Sequence, residues 1–407
     1  MVTNPAEKRS RELLNETIIK LLRPPSTLPM HEWIEQNRVL TPEDSSITGS
    51  FDFKYTPYAR GVFQALQDPS VHTVVLQWGS QVGKTTQLLS FLSWLISEDP
   101  GPVLFVLPSL SLVAGFSRDR LDPMLRSTEA LQGLVSEIRS NDSDNSLYRK
   151  RIVNGSITLA SSNAHGALQS RPIKYLIGDE IDAWETAVGL SDSIDRATQR
   201  TRSFADRKII LTSTPTIKGE SRIEDLYNSS DRRSYYIRCP ECNHQHTITW
   251  ENIKWDNHDP DTARVECPKC EHPYSKDERH QAINEGVWIA QEPTEGVAGF
   301  FLPSMYSCMD VRSDSDIIVE LARSWRAVHK IPERRHAFVN EQLAEAYEVD
   351  TEEIAPDDLR MNIETFEIPP AEIEYLLIGS DLQGNRLESS ILGYNAENGI
   401  IYVVDHV

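Results

Sequence analysis

The stretch that decides the fold is Trp78-Gly-Ser-Gln-Val-Gly-Lys-Thr-Thr86. An apolar run at residues 72–77 precedes it, and residues 86–96 behind it carry apolar side chains at helical spacing. A glycine-bearing turn between a buried strand and a helix presents backbone N–H groups and the positive end of the helix, which together bind phosphate. The order of these elements therefore predicts a phosphate loop that binds ATP.

Eight residues are the predicted nucleotide contacts: Gly79, Ser80, Gln81, Val82, Gly83, Lys84, Thr85 and Thr86. We expect Lys84 to reach the β and γ phosphates and Thr85 to hold Mg²⁺. The usual pattern places a glycine six residues before the lysine, where this chain has Trp78 with Gly79 beside it. The alternative interpretation of Gly-Lys-Thr is a surface lysine in an ordinary loop.

A pair of acids follows another apolar run, in Tyr-Leu-Ile-Gly-Asp-Glu at residues 175–180. A phosphate loop needs a carboxylate for its metal and a base that positions the attacking water. We expect Asp179 to contact Mg²⁺ through water and Glu180, the catalytic residue, to polarise the water. An ordinary acidic strand end is the alternative.

Residues 211–216, Leu-Thr-Ser-Thr-Pro-Thr, end a further apolar run in hydroxyl groups. This pattern resembles the sensor or coupling motif of helicase-like ATPases, with Ser213 and Thr214 as the coupling residues. A Ser/Thr/Pro turn is the alternative.

The spacing of the apolar runs predicts the fold class, α/β. Runs at 72–77, 102–107, 156–160, 175–178 and 208–212 alternate with helical segments, which is typical of a parallel sheet covered on both faces. After an acidic span at 345–374, runs at 373–381, 386–394 and 400–404 predict three antiparallel strands, with a turn at Gly384-Asn385. The acidic span has eleven acids and one base, which indicates a connector between domains or, alternatively, a partner-binding segment.

Four of the five cysteines form two Cys-Pro-x-Cys pairs, Cys239 with Cys242 and Cys267 with Cys270, separated by 24 residues. Two such turns supply the four thiolates of a tetrahedral Zn²⁺ site, and four sulfur ligands leave no open position for catalysis. We therefore expect a structural zinc ribbon. His244 and His246 are the alternative ligands, and Cys308 is expected to be a core residue.

Composition excludes several classes of protein. The chain has 407 residues, is 39% hydrophobic, and carries no apolar run near the roughly 18 residues of a membrane helix. Its first twenty residues lack the order of a secretion signal, so we expect a cytoplasmic location. A net charge of -20 excludes nucleic-acid binding by bulk charge, so such binding requires a local basic patch.

Two stretches are candidate basic patches. The first has six bases and one acid between Arg196 and Lys218, and the second has four arginines around Trp325. Further arginines follow the first patch at positions 232, 233 and 238. Solvated helix faces are the alternative interpretation.

The order of the motifs along the chain resembles that of the phage terminase large subunit of the lambda GpA type. Besides the motifs above, the resemblance includes Thr56-Pro-Tyr58, Ser-Arg-Asp-Arg-Leu-Asp-Pro at 117–123, Asp-Glu-Ile-Asp at 179–182 and Asp-Leu-Gln-Gly-Asn-Arg at 381–386. The likeness runs from about residue 33 to the end. It implies a RecA/ASCE-like P-loop ATPase domain that drives double-stranded DNA into a viral procapsid, and an RNase H-like nuclease domain that cuts concatemers.

The resemblance also implies cofactors and partners: ATP, Mg²⁺ and Zn²⁺; double-stranded DNA, a small terminase subunit and a portal protein; a homo-oligomer when active; no membrane; and the host cytoplasm. Asp381 matches the first nuclease carboxylate and metal ligand. Many members carry a basic residue early in the phosphate loop that this chain lacks. Candidates for the missing charge are Arg118, Arg120, Arg196, Arg200 and Arg202, or a neighbouring subunit.

The domains expected on this basis are an N-terminal leader (1–60), the P-loop ATPase domain (61–235), a zinc ribbon insertion (236–295), a helical segment (296–344), an acidic linker (345–374) and the start of a nuclease domain (375–407). Glu388 and Asp405 lie on strands after Asp381, and the family's other acids would fall beyond Val407. We therefore expect no nuclease activity from the sequence as given. The alternative functions are a helicase-like or remodelling ATPase with a zinc ribbon, and a non-catalytic zinc-binding scaffold.

Overall fold

The computed structural model describes residues 26–406, except 44, 46, 137–145, 165, 167, 169–170, 186–190, 294, 313–315, 349–371, 384–385 and 398. The chain divides into two compact units, Met1–Val349 and Asp350–Val407. The first 25 residues of the predicted N-terminal leader, most of the acidic span and the turn at Gly384-Asn385 lie outside the described residues.

Unit 1 contains fourteen strands among its described residues. They are β1 (Val39–Leu40), β2 (Gly49–Ser50), β3 (Thr73–Trp78), β4 (Pro102–Leu107), β5 (Arg149–Ile152), β6 (Gly155–Ser161), β7 (Tyr175–Gly178), β8 (Lys208–Ser213), β9 (Arg233–Arg238), β10 (Gln245–His246), β11 (Ile253–Lys254), β12 (Arg264–Val265), β13 (Val287–Ile289) and β14 (Val297–Leu302).

The described helices also belong to unit 1. They are α1 (Met30–Asn37), α2 (Ala59–Gln67), α3 (Lys84–Glu98), α4 (Leu110–Phe116), α5 (Asp122–Ser127), α6 (Ser193–Gln199), α7 (Arg222–Asn228), α8 (Lys276–Asn284), α9 (Ile317–Val328) and α10 (Pro332–Phe338). Helix α9 lies within the predicted helical segment (296–344) and is amphipathic, because its Ile318, Leu321 and Ala322 face the core.

The main sheet has ten strands in the order β10-β9-β14-β3-β8-β7-β4-β6-β5, with β13 paired to β9. The strands from β9 to β6 are parallel, whereas β5, β10 and β13 pair antiparallel at the margins. This arrangement confirms the α/β class and the parallel sheet.

Successive residues of the central strands enter two separate cores. On β4, Val103 and Phe105 belong to the larger core, while Leu104 and Val106 belong to the smaller one. Because neighbouring side chains of a strand point to opposite faces, the sheet is covered by apolar packing on both sides. This explains the near-continuous apolar runs in the sequence.

Strand β14 is a central element that sequence reasoning missed, along with β9 and the shorter strands. It lies between β9 and β3, paired in parallel with the full length of β3. The expected borders at 235 and 295 therefore pass through one compact unit, in which residues after the cysteine segment return to the centre of the sheet.

Unit 2 is a three-stranded antiparallel sheet of β15 (Tyr375–Gln383), β16 (Arg386–Tyr394) and β17 (Ile401–His406). The three strands match the predicted runs. Over the described part of the chain, every helix is too short or too polar to cross a bilayer.

Candidate nucleotide site and four-cysteine centre

The three motifs meet at one edge of the main sheet. Strand β8 lies between β3 and β7, so the phosphate loop, the Ser213 segment and the Asp179–Glu180 pair leave neighbouring strands at their carboxyl ends. The carboxyl edge of a parallel sheet is where such folds bind ligands.

The phosphate loop turns through two left-handed residues, Gln81 with φ 59° and Gly83 with φ 83°. Gly83 caps the N-terminus of α3, and a Cβ there would lie 3.2–3.3 Å from Thr56, Gln87 and Met309. A glycine meets both requirements, because it adopts positive φ freely and leaves room for the neighbours. A turn of this kind at the start of a helix offers the N–H groups of the first helical residues to an anion.

Trp78 occupies the expected glycine position because that residue ends the buried strand β3. Its side chain is fully buried and packs edge-on against Tyr58, with ring centroids 5.3 Å apart. The Tyr58 hydroxyl donates to the Val82 carbonyl at 3.0 Å, and Gln87 donates to the Thr56 hydroxyl at 3.3 Å. The Thr56-Pro-Tyr58 motif therefore packs against the phosphate loop and the first turns of α3 and stabilises them.

Lys84 is buried and its ammonium group has two partners. Nζ donates to the Trp78 carbonyl at 3.2 Å and forms an ion pair with Glu180 at 3.1 Å. Glu180 adopts φ 48°, an unusual backbone for a non-glycine residue. Its other oxygen accepts from the Ser213 hydroxyl and the Thr214 N–H, both at 3.3 Å. The carboxylate thus links the phosphate loop to the end of β8.

Asp179, next to Glu180 in the chain, is buried and accepts a hydrogen bond from the Thr85 hydroxyl at 3.1 Å. Burial and the adjacent Glu180 charge raise the pKa of its carboxyl to about 6, against the opposing effect of Lys84 and Thr85. Its second oxygen, Oδ1, is buried without a hydrogen-bond partner. An unpartnered carboxylate oxygen beside a threonine hydroxyl fits Mg²⁺, which binds oxygen ligands.

A cavity of about 530 Å³ opens over the loop. Its lining residues are Pro42, Glu43, Ser45, Ser80, Gln81, Gly83, Lys84, Thr85, Thr86, Arg120, Glu180 and Met309. Six of the eight predicted nucleotide residues line it. Gly79 and Val82 do not, because Val82 points into the core and Gly79 packs against Ser304.

A segment after β14 holds the loop from the side, and sequence reasoning missed it. The Ser304 hydroxyl donates to the Ser80 carbonyl at 2.7 Å, and the Ser307 hydroxyl donates to the Gln81 carbonyl at 3.0 Å. The Ser80 N–H donates to the Glu341 carbonyl at 2.6 Å. The available sequence signal was Gly79, where a Cβ would lie 2.6 Å from the Ser304 hydroxyl.

Asp182 joins the acidic box to the segment after the coupling motif. Its carboxylate accepts from the Thr216 and Ser221 hydroxyls at 3.1 and 2.6 Å and from the Ile223 N–H at 2.8 Å. These contacts explain why a third acid follows Glu180: it fixes the start of α7 rather than entering the cavity.

The four predicted cysteines converge. All four Sγ atoms lie within 4.8 Å of one another, with Cys239 to Cys270 at 3.7 Å and Cys242 to Cys267 at 3.8 Å. A tetrahedron of sulfurs about 2.3 Å from zinc has edges of about 3.8 Å, so the spacing fits this metal. This is the one group of three or more metal-ligand side chains among the described residues.

The two knuckles share one backbone pattern. The N–H of the first cysteine of each pair donates to the carbonyl of a histidine five residues on, at 2.9 Å for Cys239 and 3.0 Å for Cys267. His246, proposed as an alternative ligand, instead pairs its Nε2 with the Tyr274 hydroxyl at 3.0 Å. Cys308 is buried outside the cluster, as expected.

A buried arginine connects the cysteine segment to the phosphate loop. Arg279, on α8, is almost fully buried and contacts Asp310 at 2.8 Å, Asp316 at 3.1 Å and the Ser307 carbonyl at 3.0 Å. Since the Ser307 hydroxyl holds Gln81, only two side chains separate the helix after the second knuckle from the loop.

In unit 2, Asp381 lies directly opposite Glu388 across β15 and β16, so the two share a face of the sheet. Asp405 pairs with Ile391, three residues from Glu388, which places it on the other face. The two carboxylates on one face are fewer than a two-metal nuclease site needs.

The predicted basic patches are only partly exposed. In the first patch, Arg196 is buried, Lys208 donates to the carbonyls of Asp68 and Val71, and Lys218 pairs with Glu348. In the second patch, Trp325 packs against Trp250 and Phe338 with ring centroids 5.5 and 5.1 Å apart. This packing mounts the α9–α10 hairpin on the cysteine segment, with Arg326, Lys330 and Arg334 exposed.

Comparison with known families decides between these interpretations. The phage terminase large subunit gpA ATPase domain matches residues 45–288, and the terminase large subunit gpA endonuclease domain matches residues 297–407. The chain belongs to the phage terminase large subunit gpA family. The ATPase match covers the phosphate loop, the acidic pair and all four cysteines.

Individual relatives agree. The chain is 24% identical over 407 residues to the terminase large subunit of Enterobacteria phage P21, covering 94% of this chain and 63% of that protein. It is 22% identical over 426 residues to that of Escherichia phage lambda, covering 97% and 64%. The chain therefore spans less than two thirds of the length of these terminases. Among solved structures, it is similar to the large terminase ATPase domain of Thermus phage P74-26, at 12% identity and a TM-score of 0.40 over 70% of this chain and 92% of that one.

Proposed function

We propose that this gpA-family chain is the ATP-driven motor that moves double-stranded DNA into a viral procapsid in the host cytoplasm, and that its homo-oligomer works with a small terminase subunit and a portal protein. The observation that carries the proposal is the contact of Lys84 with Glu180, next to the Thr85–Asp179 contact, under a cavity large enough for a nucleotide. A scaffold without nucleotide chemistry would not need these charged groups, two of them buried, to meet at one cavity.

In this proposal the phosphates of ATP lie against the N–H groups of residues 81–86, and Lys84 leaves Glu180 to contact the β and γ phosphates. Mg²⁺, held by Thr85 and Asp179, supplies charge neutralisation at the phosphates. Glu180, released from Lys84, accepts a hydrogen bond from the attacking water and orients it toward the γ phosphorus.

Ser213 and Thr214 provide the proposed coupling. Both donate to the same oxygen of Glu180, so any movement of that carboxylate on nucleotide binding changes hydrogen bonds at the end of β8. The following segment, at Thr216 and Ser221, is tied to Asp182. A change at the γ phosphate would thereby reach the segment that follows β8.

The four cysteines would hold a structural Zn²⁺, since they leave no open coordination position. Asp381 is the proposed first metal ligand of the nuclease domain, and concatemer cutting is the activity that the endonuclease match suggests. The zinc role is supported by the spacing of the four Sγ atoms, and the nuclease role by residue type and the family match.

ATP turnover measured with and without linear duplex DNA tests the proposal. The parent should hydrolyse ATP faster with DNA, and Lys84→Ala should abolish turnover under both conditions. Turnover in the parent that is unaffected by DNA, or that persists in Lys84→Ala, would remove the motor assignment.

A further inference from the structure

The phosphate loop contributes a single cation to the cavity. Besides Lys84, residues 78–86 include no arginine, lysine or histidine. Phosphoryl transfer spreads negative charge over the γ-phosphate oxygens, and NTPases commonly place an arginine there in addition to the loop lysine. The sequence leaves five arginines of the chain open for this position.

The structure separates these candidates. Arg196 is buried in α6, Arg118 and Arg202 are exposed to solvent, and Arg200 is half-buried at the end of α6. None of these four lines the cavity. Arg120 does, and it is the one cationic side chain besides Lys84 among the residues that line it.

The local helix explains why Arg120 and not Arg118 faces the cavity. Residues Ser117–Leu121 form a π-helical turn between α4 and α5, and such turns recur at functional sites. Ser117 and Leu121 face the core, while Arg118 and Asp119 face solvent. Arg120 lies between these two faces, half-buried, at the rim of the cavity.

We propose that Arg120 contacts the γ phosphate of ATP bound to the same chain and stabilises its charge in the transition state. This inference rests on the proposed function and assigns a second cation to that site. The attacking water forms a bond to the γ phosphorus as the bond to the β–γ bridging oxygen breaks. ADP leaves with that electron pair, and the proton of the water passes to phosphate or solvent through Glu180. Arg120 donates N–H groups to the γ-phosphate oxygens and undergoes no covalent change.

The direct test compares Arg120→Ala with Arg118→Ala, a matched exposed arginine two residues away on the same helical segment. We expect Arg120→Ala to lower kcat by at least about 100-fold, in line with the loss of an arginine at a transferring phosphoryl group. The Kd for a fluorescent ATP analogue should change by less than about fivefold, and Arg118→Ala should match the parent in both measurements.

A second readout distinguishes charge stabilisation from a structural role. ADP with aluminium fluoride imitates the transferring phosphoryl group, so the parent and Arg118→Ala should trap this complex and Arg120→Ala should not, with thermal unfolding unchanged. Arg120→Lys should recover part of the trapping, since it restores the charge without the two-pronged geometry.

Mixing experiments establish which chain supplies the arginine. Chains with Arg120→Ala keep an intact loop, and chains with Lys84→Ala keep Arg120, so a mixture recovers turnover only if the arginine acts on a neighbour's nucleotide. We expect no recovery. Recovery, or turnover and trapping by Arg120→Ala within about twofold of the parent, would overturn the assignment while leaving the ATPase proposal in place; absence of turnover in the parent would overturn both.

Discussion

The ammonium group of Lys84 lies 3.1 Å from a carboxylate oxygen of Glu180, so in the nucleotide-free protein the proposed phosphate ligand and the proposed base neutralise each other. Both groups are needed elsewhere once ATP binds. The ion pair therefore describes a resting site, and nucleotide binding requires it to separate.

Glu180→Gln separates binding from hydrolysis. The substitution removes the base and the ion pair but keeps a polar side chain that Ser213 and Thr214 can still contact. We expect ATP turnover to fall at least about 100-fold, as loss of a general base does, while ATP affinity stays equal or rises because Lys84 no longer has a competing partner. Glu185→Gln, on an exposed acid five residues away, should leave both unchanged.

The raised pKa of Asp179 predicts that the stability of the nucleotide-free protein depends on pH. The pKa of its carboxyl is raised to about 6 in the folded protein, above the roughly 3.9 of an unfolded aspartate. The folded state therefore favours the protonated form, so the parent should gain stability as pH falls from about 6 to about 4. The gain is bounded at about 3 kcal/mol.

Urea unfolding of the parent and of Asp179→Asn at pH 7 and pH 4.5 checks this sign. Relative to the parent, the variant should be more stable at pH 7 and lose that advantage at pH 4.5. A variant that is less stable than the parent at pH 7 would show that the carboxylate is favourably solvated and the assignment of its pKa wrong.

Removal of metal from the four-cysteine centre should reach the phosphate loop. We expect one Zn²⁺ per chain, lost in Cys239→Ser together with thermal stability, because this segment depends on the metal for folding. ATP affinity should also fall, since Arg279 connects α8 to Ser307 and Ser307 holds Gln81. Cys308→Ala, outside the cluster, should retain the metal and the affinity. Atomic absorption that finds no zinc in the parent would contradict the proposal.

Substitution of the two serines after β14 should lower ATP affinity without unfolding the protein. Ser304→Ala with Ser307→Ala removes two hydrogen bonds to loop carbonyls, each worth about 1 kcal/mol. We expect ATP affinity to fall roughly tenfold while the protein still folds. Ser324→Ala on the exposed side of α9 is the control. Equal calorimetric affinity in the double variant and the parent would mean that the loop keeps its shape without this support.

We expect duplex DNA to bind the exposed basic side of the α9–α10 hairpin. Replacing Arg326, Lys330 and Arg334 by alanine should weaken DNA binding. It should also reduce the slope of log K against log salt concentration by about two to three, because about three phosphate contacts are lost. The control variant carries alanine at Lys254, Lys269 and Lys276 on the cysteine segment, and it loses the same number of positive charges away from the hairpin. DNA affinity is measured by fluorescence anisotropy across salt concentrations. An equal loss of affinity in both triple variants would show that binding depends on the total charge of the protein and not on a site at the hairpin.

Residues 78–86, 175–180 and 211–216 could be predicted from sequence because their chemistry is local: each motif ends an apolar strand, and parallel strands bring their carboxyl ends to one edge. The cysteine pairs were equally readable from their spacing. Trp78 was the apparent defect in the motif, and the structure explains it as the last core residue of β3.

The contacts of Ser304 and Ser307, and the choice of Arg120 among the five candidate arginines, could not be predicted, because they depend on tertiary packing. Strand β14 has an ordinary apolar sequence, Val-Ala-Gly-Phe-Phe-Leu, and nothing local shows that it pairs with β3 more than 200 residues earlier. Arg118 and Arg120 are equivalent in sequence terms, and only the phase of the helical turn distinguishes them.

A crystal structure of the chain with Mg²⁺ and a non-hydrolysable ATP analogue tests the central claim most directly. We predict that the γ phosphate lies against the backbone N–H groups of Gly83, Lys84 and Thr85, with Lys84 turned from Glu180 to the phosphates. A nucleotide bound elsewhere on the protein, or the Lys84–Glu180 pair intact beside a bound nucleotide, would contradict it.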